Sequence, residues 1–336
     1  MANHSSNGYS AGGPLVRQVA VLVETDTSWG CSVIRGIADY AEKHGHWNLL
    51  IGPHDHEQRL MLPDRWQGDG IIARLSSRLQ VEQIREKNVP TVNVDDLFED
   101  VSGVATVCTD ETERAQLALA HLLDKGFRQF GYFAPPSNQY SKKRGQEFVT
   151  ATKLAGYDCH EYKPGYRAGR KISWEEQQRR VERWLASLPR PVAVLAVDAL
   201  RARQLADICH LDGLSVPDDI AILSGDTDEL MCDVLSPPLS SISVASERIG
   251  HDAARLLQSM MDGEPLPDHA TRIPPLGVTS RQSTDVLAID DPTIVGALRF
   301  IESHADRGIV VEDVLRVVPI SRRSLAIQLR HCLGRS

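Results

Sequence analysis

The chain of 336 residues contains no apolar run near the roughly 18 residues that a membrane-crossing helix requires, so a helical span is excluded. Its first 14 residues are polar, with neither a basic start nor an apolar stretch, and do not read as a secretory signal. That counts against a secreted solute receptor. The six cysteines, at 31, 108, 159, 209, 232 and 332, lie far apart with no Cys-x-x-Cys pair. Most sit in apolar patterns, which reads as buried free thiols in a reducing cytoplasm rather than disulfides or zinc ligands.

Enzyme signatures are missing too. There is no Gly-x-x-x-x-Gly-Lys-Ser/Thr loop, no Gly-x-Gly-x-x-Gly after the first strand, and no Gly-x-Ser-x-Gly elbow. His54-Asp55-His56 looks like a metal cluster, but irregular charged sequence follows it and no partner stands at ligand spacing. A solvated loop is the expectation there. No metal, no cofactor and no catalytic activity are expected.

What is present is ordinary for a globular protein: 42% hydrophobic and 24% charged residues. The length exceeds one compact core and predicts two or three domains. The net charge of −8 is uneven. Residues 291–336 hold seven Arg and five acids, a net of +2, which leaves −10 on residues 1–290. Leu315–Ser336 carries five Arg and no acid. A short basic end on an acidic body suggests an appended nucleic-acid module, a merely basic tail being the alternative.

Along the chain, a disordered-looking tail (1–14) precedes a strand at 18–23, a polar loop at 24–30 and a helix at 32–44. Strands follow at 47–51, 70–73, 91–94 and 104–108, with helices at 80–87 and 111–125, Gly126 being the C-cap. The rhythm then restarts. Strands are expected at 130–133, 159–162, 192–197, 220–223 and 240–244, and helices at 140–154, 174–187, 201–209 and 246–261. This alternation predicts an α/β fold with parallel sheets, arranged as two similar lobes with a cleft between them. The helix at 246–261 suits core packing, with a lobe-packing or dimer role as the alternative. Pro265–Pro275 reads as connecting sequence. Arg281–Asp285 exits the domain, giving units at 15–284 and 285–336.

Residues 191–230 read as strand, helix, strand, with Asp198 and Asp226 closing the strands. Two parallel strands thus deliver two carboxylates to one carboxyl edge, where α/β sheets bind small ligands. A carboxylate accepts hydrogen bonds from neighbouring sugar hydroxyls. An alternative use of each is to cap the following helix. Arg144, early in its helix, offers a donor fork. Ser28 and Trp29 stand at the mouth of the expected cleft, where an aromatic closes over a sugar face or packs against a helix.

The end of the chain reads as three helices, at 293–304, 311–318 and from Arg322 onward, the last capped by Ser321. Val311, Val314, Leu315, Val318, Ile320, Leu325 and Leu329 fit a helix-turn-helix core. Ser321, Arg322, Arg323, Ser324 and Arg330 then face DNA from the second helix of the motif. An αα-hairpin with a solvated Arg pair is the alternative.

The chain resembles the family of the xylose operon activator XylR, which joins a LacI-type, periplasmic-binding-protein-like effector domain to an AraC-type DNA-binding domain. The resemblance rests on Trp29-Gly30 through Arg35-Gly36-Ile37, Gly68-Asp69-Gly70-Ile71-Ile72-Ala73, and His121-Leu122-Leu123 with Gly126-Phe127. It continues in Arg201-Ala202-Arg203, Arg281-Gln282-Ser283-Thr284-Asp285 and Val318-Pro319-Ile320-Ser321-Arg322-Arg323. It implies a cytoplasmic, homodimeric transcription regulator that binds xylose or a related pentose between its lobes and passes the signal to DNA. Asp226 matches the family's ligand-binding Asp and Arg144 its second-lobe Arg, while Trp29 stands where relatives often carry Tyr. Asp198 takes a polar position of the family pattern and Ala199 its Asp position. Ile327 and Gln328 replace positions often basic in relatives. An AraC-type domain has two helix-turn-helix units, and 285–336 corresponds to the first, a partial domain. A stand-alone sugar-binding module without DNA activity is the second expectation.

Overall fold

The computed structural model describes residues 16–55, 59–98, 101–134, 139–163, 165, 173–285, 292–304 and 308–333. The polar stretch 1–14, the Asp290-Asp291 boundary and His56 lie outside them. The chain divides into two compact units, 1–284 and 285–336. Among the described residues, no helix is long and apolar enough to cross a membrane.

The first unit holds two six-stranded sheets, one per lobe. The first-lobe sheet contains β1 (Arg17–Leu22), β2 (Trp47–Ile51), β3 (Gly70–Ala73), β4 (Thr91–Asn93), β5 (Val104–Thr109) and β11 (Thr271–Ile273). Their order is β11-β5-β4-β3-β1-β2, all parallel. The second-lobe sheet contains β6 (Phe130–Phe133), β7 (Cys159–Glu161), β8 (Val192–Ala196), β9 (Ile220–Ser224), β10 (Ser240–Ser243) and β12 (Gly277–Thr279). Its order is β12-β10-β9-β8-β6-β7, with only β12 antiparallel. Every residue of β8 and β9 is buried, as strands covered on both faces by helices must be. The α/β, two-lobed expectation therefore holds.

The helices follow the strands: α1 (Ser28–Tyr40), α2 (Arg78–Lys87), α3 (Glu111–Asp124), α4 (Gln139–Leu154), α5 (Trp174–Ser187), α6 (Ala199–Leu211), α7 (Glu229–Asp233) and α8 (Ser246–Met261). Side-chain caps set several starts. Asp110 accepts from Glu113 N to open α3, and Gly126, at φ +91°, turns the chain out after it. Helix α1 starts four residues before the expected helix, because Thr27 accepts from Gly30 N and absorbs part of the polar loop into its first turn. Trp29 is thereby a helical residue. Apolar periodicity, broken at Gly30, does not signal that turn.

The lobes are not two consecutive blocks. The chain crosses after β5, again between β10 and α8, and a third time between β11 and β12. Helix α8 therefore packs in the first lobe, where Ile249, Ala253, Ala254 and Leu257 share a core with Val33 and Ile37 of α1. The two helices touch backbone to backbone. A Cβ at Gly36 would lie 1.9 Å from Glu247 O, and one at Gly250 2.0 Å from Val33 O. Strands β11 and β12 fall in and after the Pro-rich stretch read as connecting sequence. At three residues each they are too short to carry a periodic signal. Cys108, Cys209 and Cys232 are buried, whereas Cys31 is exposed in the first turn of α1, against the expectation.

The second unit is all α: α9 (Pro292–His304), α10 (Val311–Val317) and α11 (Arg322–Leu333). Val314, Val318 and Leu325 bury against Ile294, Ala297 and Leu298, with Leu315 and Ile320 half-buried beside them. Val311 is exposed instead, at 39%. The side chain of Leu329 lies outside the described residues.

Gly250→Ala is expected to force α1 and α8 apart and to cost about 1–3 kcal/mol or more, read as a lower urea midpoint with α/β circular dichroism retained.

Candidate functional site

A cavity of about 340 Å³ lies between the carboxyl ends of the two sheets, the edge at which open α/β sheets bind ligands. Ser28, Trp29, Arg144, Asp198 and Asp226, separated by up to 198 positions in the chain, all line it. The register of β8 and β9 sets the aspartates. Ala196 lies opposite Ser224, so Asp198 and Asp226 emerge two residues beyond equivalent strand ends.

Both aspartates also hold the start of α6. Asp198 Oδ1 accepts from Arg201 N at 2.8 Å, and Asp226 Oδ1 accepts from Ala199 N at 2.9 Å. The capping use is thus real, and it falls on one helix rather than on two. Asp226 is half-buried and its pKa is raised. Burial is the main cause and the charge of Asp198 adds to it, while Arg144 and Arg114 act against both.

The donor fork of Arg144 points mostly inward to the protein. Its Nε and Nη2 donate to the two carboxylate oxygens of Glu111 at 3.0 and 3.2 Å, and Nη1 donates to Val197 O. Arg114 reaches the same carboxylate at 3.2 Å and donates from Nη1 to Gly225 O at 2.7 Å. Burial opposes the charge of Glu111, but Arg114 and Arg144 outweigh it and hold its pKa low. The two guanidinium groups thus anchor the chain just beyond β8 and β9. Glu111 and Arg114 are residues that sequence reasoning missed. The visible signal was a Glu–Arg pair three apart in the first turn of a helix leaving a strand end. It reads as ordinary helix-start acidity until burial is known.

From the first lobe, Trp29 carries the guanidinium of Arg74 4.8 Å from its ring centroid. Arg74 in turn donates from Nε to Asp95 at 2.7 Å. Polar ties among the described residues span the lobes beside the cavity. Ser28 Oγ donates to Asp228 Oδ2 at 2.7 Å, and Lys143 Nζ lies 3.0 Å from Asp96 Oδ2. Asp96 is largely buried beside Asp95 and Glu111. Burial, then those two charges, push its pKa up to about 6 against the pull of Lys143.

In the second unit, Ser321 Oγ accepts from Ser324 N at 3.2 Å and caps α11. Arg322 and Arg323 are exposed and Ser324 is half-buried, whereas the side chain of Arg330 lies outside the described residues. Arg322 is not an isolated cation: its Nη1 lies 3.0 Å from Glu312 Oε1 of α10. The acid-free stretch is therefore answered by an acid from the preceding helix. Asp55 of the His54-Asp55-His56 stretch bonds Arg59 N and side chain. No group of three metal-binding side chains gathers among the described residues.

The raised pKa of Asp96 has a signed consequence. Its folded value, about 6, exceeds the ordinary 3.8, so the folded protein holds this proton more tightly than the unfolded chain. The contribution of Asp96 to stability is greatest below about pH 4 and is lost as pH rises through 6. Asp96→Asn is expected to remove that decline, so that its urea midpoint gains on the wild type between pH 4 and pH 7.

Two family models match the chain. Residues 18–111 fit the XylR N-terminal domain, and residues 119–284 fit the periplasmic binding protein-like domain. The xylose operon regulatory protein of Escherichia coli K12 is 28% identical over 330 residues, covering 94% of this chain and 82% of that protein. That of Haemophilus influenzae is 27% identical over 331 residues, covering 95% and 84%. Among solved structures, the xylose-binding transcription activator xylR superposes with a TM-score of 0.76 at 25% identity, over 95% of this chain and 83% of that one. A LacI family regulator from Enterococcus faecium with bound ribose shares the fold alone, with a TM-score of 0.61 at 19% identity, over 80% and 98%. Residues 18–111 thus carry a XylR-type N-terminal domain and residues 119–284 a periplasmic-binding-protein-like domain, and the chain is homologous to the xylose operon regulatory proteins.

Proposed function

We propose that the chain is a cytoplasmic, sugar-responsive regulator of transcription, that its cavity takes xylose or a related pentose, and that its three-helix unit meets DNA. The observation that carries this reading is the cavity itself. Its wall sets carboxylates and guanidinium groups beside one aromatic ring, which is the chemistry that a dense array of hydroxyls requires. A volume near 340 Å³ is at the small end of ligand cavities, about 300–1,000 Å³, and suits a monosaccharide. The relatives named for xylose operon regulation align over almost the whole chain.

The mechanism follows from the lobes. Ser28–Asp228 and Lys143–Asp96 form only while the lobes are close. A ligand that touches both walls adds contacts in that arrangement alone and shifts the population toward it. In a homodimer, which the family resemblance implies, such a shift re-spaces the DNA-binding units. Ser28, Trp29, Arg144, Asp198 and Asp226 form the sugar wall. Ser321, Arg322, Arg323, Ser324 and Arg330 form the DNA face of a partial AraC-type domain.

A second reading, a sugar-binding module without DNA activity, is favoured by the Arg322–Glu312 pair, which occupies one cation of that face.

Titration calorimetry with pentoses and hexoses is expected to show one-to-one binding of at least one pentose. Absence of heat with every sugar, from folded protein, sinks the sensor reading. Fluorescence anisotropy with a duplex DNA over a salt series separates the two DNA readings. Binding should weaken steeply with salt, and Arg323→Ala should lower the log–log slope by about 1. Salt-independent or undetectable binding selects the module without DNA activity.

A further inference from the structure

Helices α10 and α11 are joined by Val318–Ser321, a turn of the length found in a helix-turn-helix. Ser321 sets the start of α11 by accepting from Ser324 N at 3.2 Å. Leu325, 4% exposed, shares a core with Val314, Val318, Ile294, Ala297 and Leu298, and so fixes how α11 is turned about its axis. Residues three and four apart share one face of a helix. Arg323, Ala326 and Ile327 therefore form a stripe on the side away from Leu325, and all three are exposed. Ile327 stands one turn beyond Arg323 with 55% of its surface open.

Charge and size select what covers Ile327. Five Arg and no acid lie between Leu315 and Ser336, and Arg322 and Arg323 open the helix that carries the stripe. Even with Arg322 held by Glu312 at 3.0 Å, α11 itself has no carboxylate to repel a polyanion. The apolar part of the stripe is one Ile and one Ala. A stable protein–protein contact takes about 800 Å² from each partner, far more than these two side chains offer. In a helix-turn-helix the start of the second helix lies in the major groove, so a stripe that begins at Arg323 meets base edges. Ile327 brings neither donor nor acceptor there. Over a guanine, cytosine or adenine edge it would strip water from hydrogen-bonding groups and return nothing. The C5-methyl of thymine is the apolar group of that groove, and it gains from being covered.

We propose that Ile327 selects thymine by packing on its C5-methyl group in the major groove, while Arg323, one turn earlier, holds the phosphate backbone beside it. This rests on the DNA reading above and adds the base that is read and the residue that reads it. Ala326, with nothing beyond its Cβ, lets α11 approach closely enough for that contact. Because the selection is apolar, it persists when added salt weakens the binding as a whole.

The test first selects duplexes from a random DNA library with the full chain at low salt. Fluorescence anisotropy then compares the selected duplex with copies that carry uracil, which lacks only the methyl group, at each thymine in turn. At one position the wild type is expected to bind the uracil duplex about fourfold more weakly, the worth of one buried methyl group. That ratio should hold as salt is raised. Ile327→Ala should erase the difference, whereas Arg323→Ala should weaken both duplexes and preserve their ratio. Ile327→Lys, put through the same selection, should exchange thymine for guanine at that position, because an ammonium group pairs with O6 and N7 of guanine. Ile327 is exposed, so none of these changes touches the core of the unit. The assignment is overturned if no thymine of the selected duplex is distinguished from uracil, or if Ile327→Ala keeps the distinction. It is also overturned if Ile327→Ala lowers the mass measured by sedimentation and leaves the thymine preference unchanged, since a second copy of the chain then covers the residue. If the wild type binds no duplex even at low salt, the DNA reading fails and this assignment with it.

Discussion

The carboxylate of Glu111, buried between Arg114 and Arg144, is the interaction on which the effector unit turns. A buried carboxylate is tolerated only when paired and hydrogen-bonded, and here two guanidinium groups meet it from different helices, α3 and α4. The same guanidiniums donate to Val197 O and Gly225 O, the carbonyls just beyond β8 and β9. One charge thus fixes two strand ends, and those ends place Asp198 and Asp226. Several kcal/mol attach to stranding such a charge, so none of the three can change alone. The cavity wall is what this cluster leaves on its open side.

The fold was legible where burial imposes a long signal. Val192–Ala196 and Ile220–Ser224 are continuous apolar runs because helices cover both their faces. Helix α8 was readable to the residue because its apolar face is regular. Strands β11 and β12 were not, since three residues in Pro-rich sequence carry no periodicity. The first turn of α1 was hidden by Gly30, which is there because a Cβ would lie 1.9 Å from Glu24 O. Close approach, not local propensity, chose that residue.

The cavity was half legible. Asp198, Asp226, Trp29 and Ser28 stand near strand ends, where topology alone directs attention. Glu111, Arg114, Asp95 and Asp96 stand at strand ends too, but acids after a strand more often cap a helix or meet water. Their importance comes from neighbours that sequence places far away: Arg144 for Glu111, Lys143 for Asp96, Gly225 for Arg114. The basic end shows the same limit. A count of charges along the chain finds no acid after Leu315, yet Glu312, one helix earlier, sits against Arg322.

The three crossings between lobes order the making of the protein in time. Strand β11 pairs with β5 across more than 150 intervening residues, and α8 fills the core of a lobe whose first strand begins at Arg17. The first lobe therefore cannot finish folding as it leaves the ribosome. Its apolar β1–β5 surface must wait, uncovered by α8, while the second lobe's β6–β10 are synthesised. The lobe begun first receives α8 and β11 only after its neighbour already has five of its six strands. Contacts of such sequence separation are slow to form, and the wait is the interval in which the chain is most exposed to aggregation.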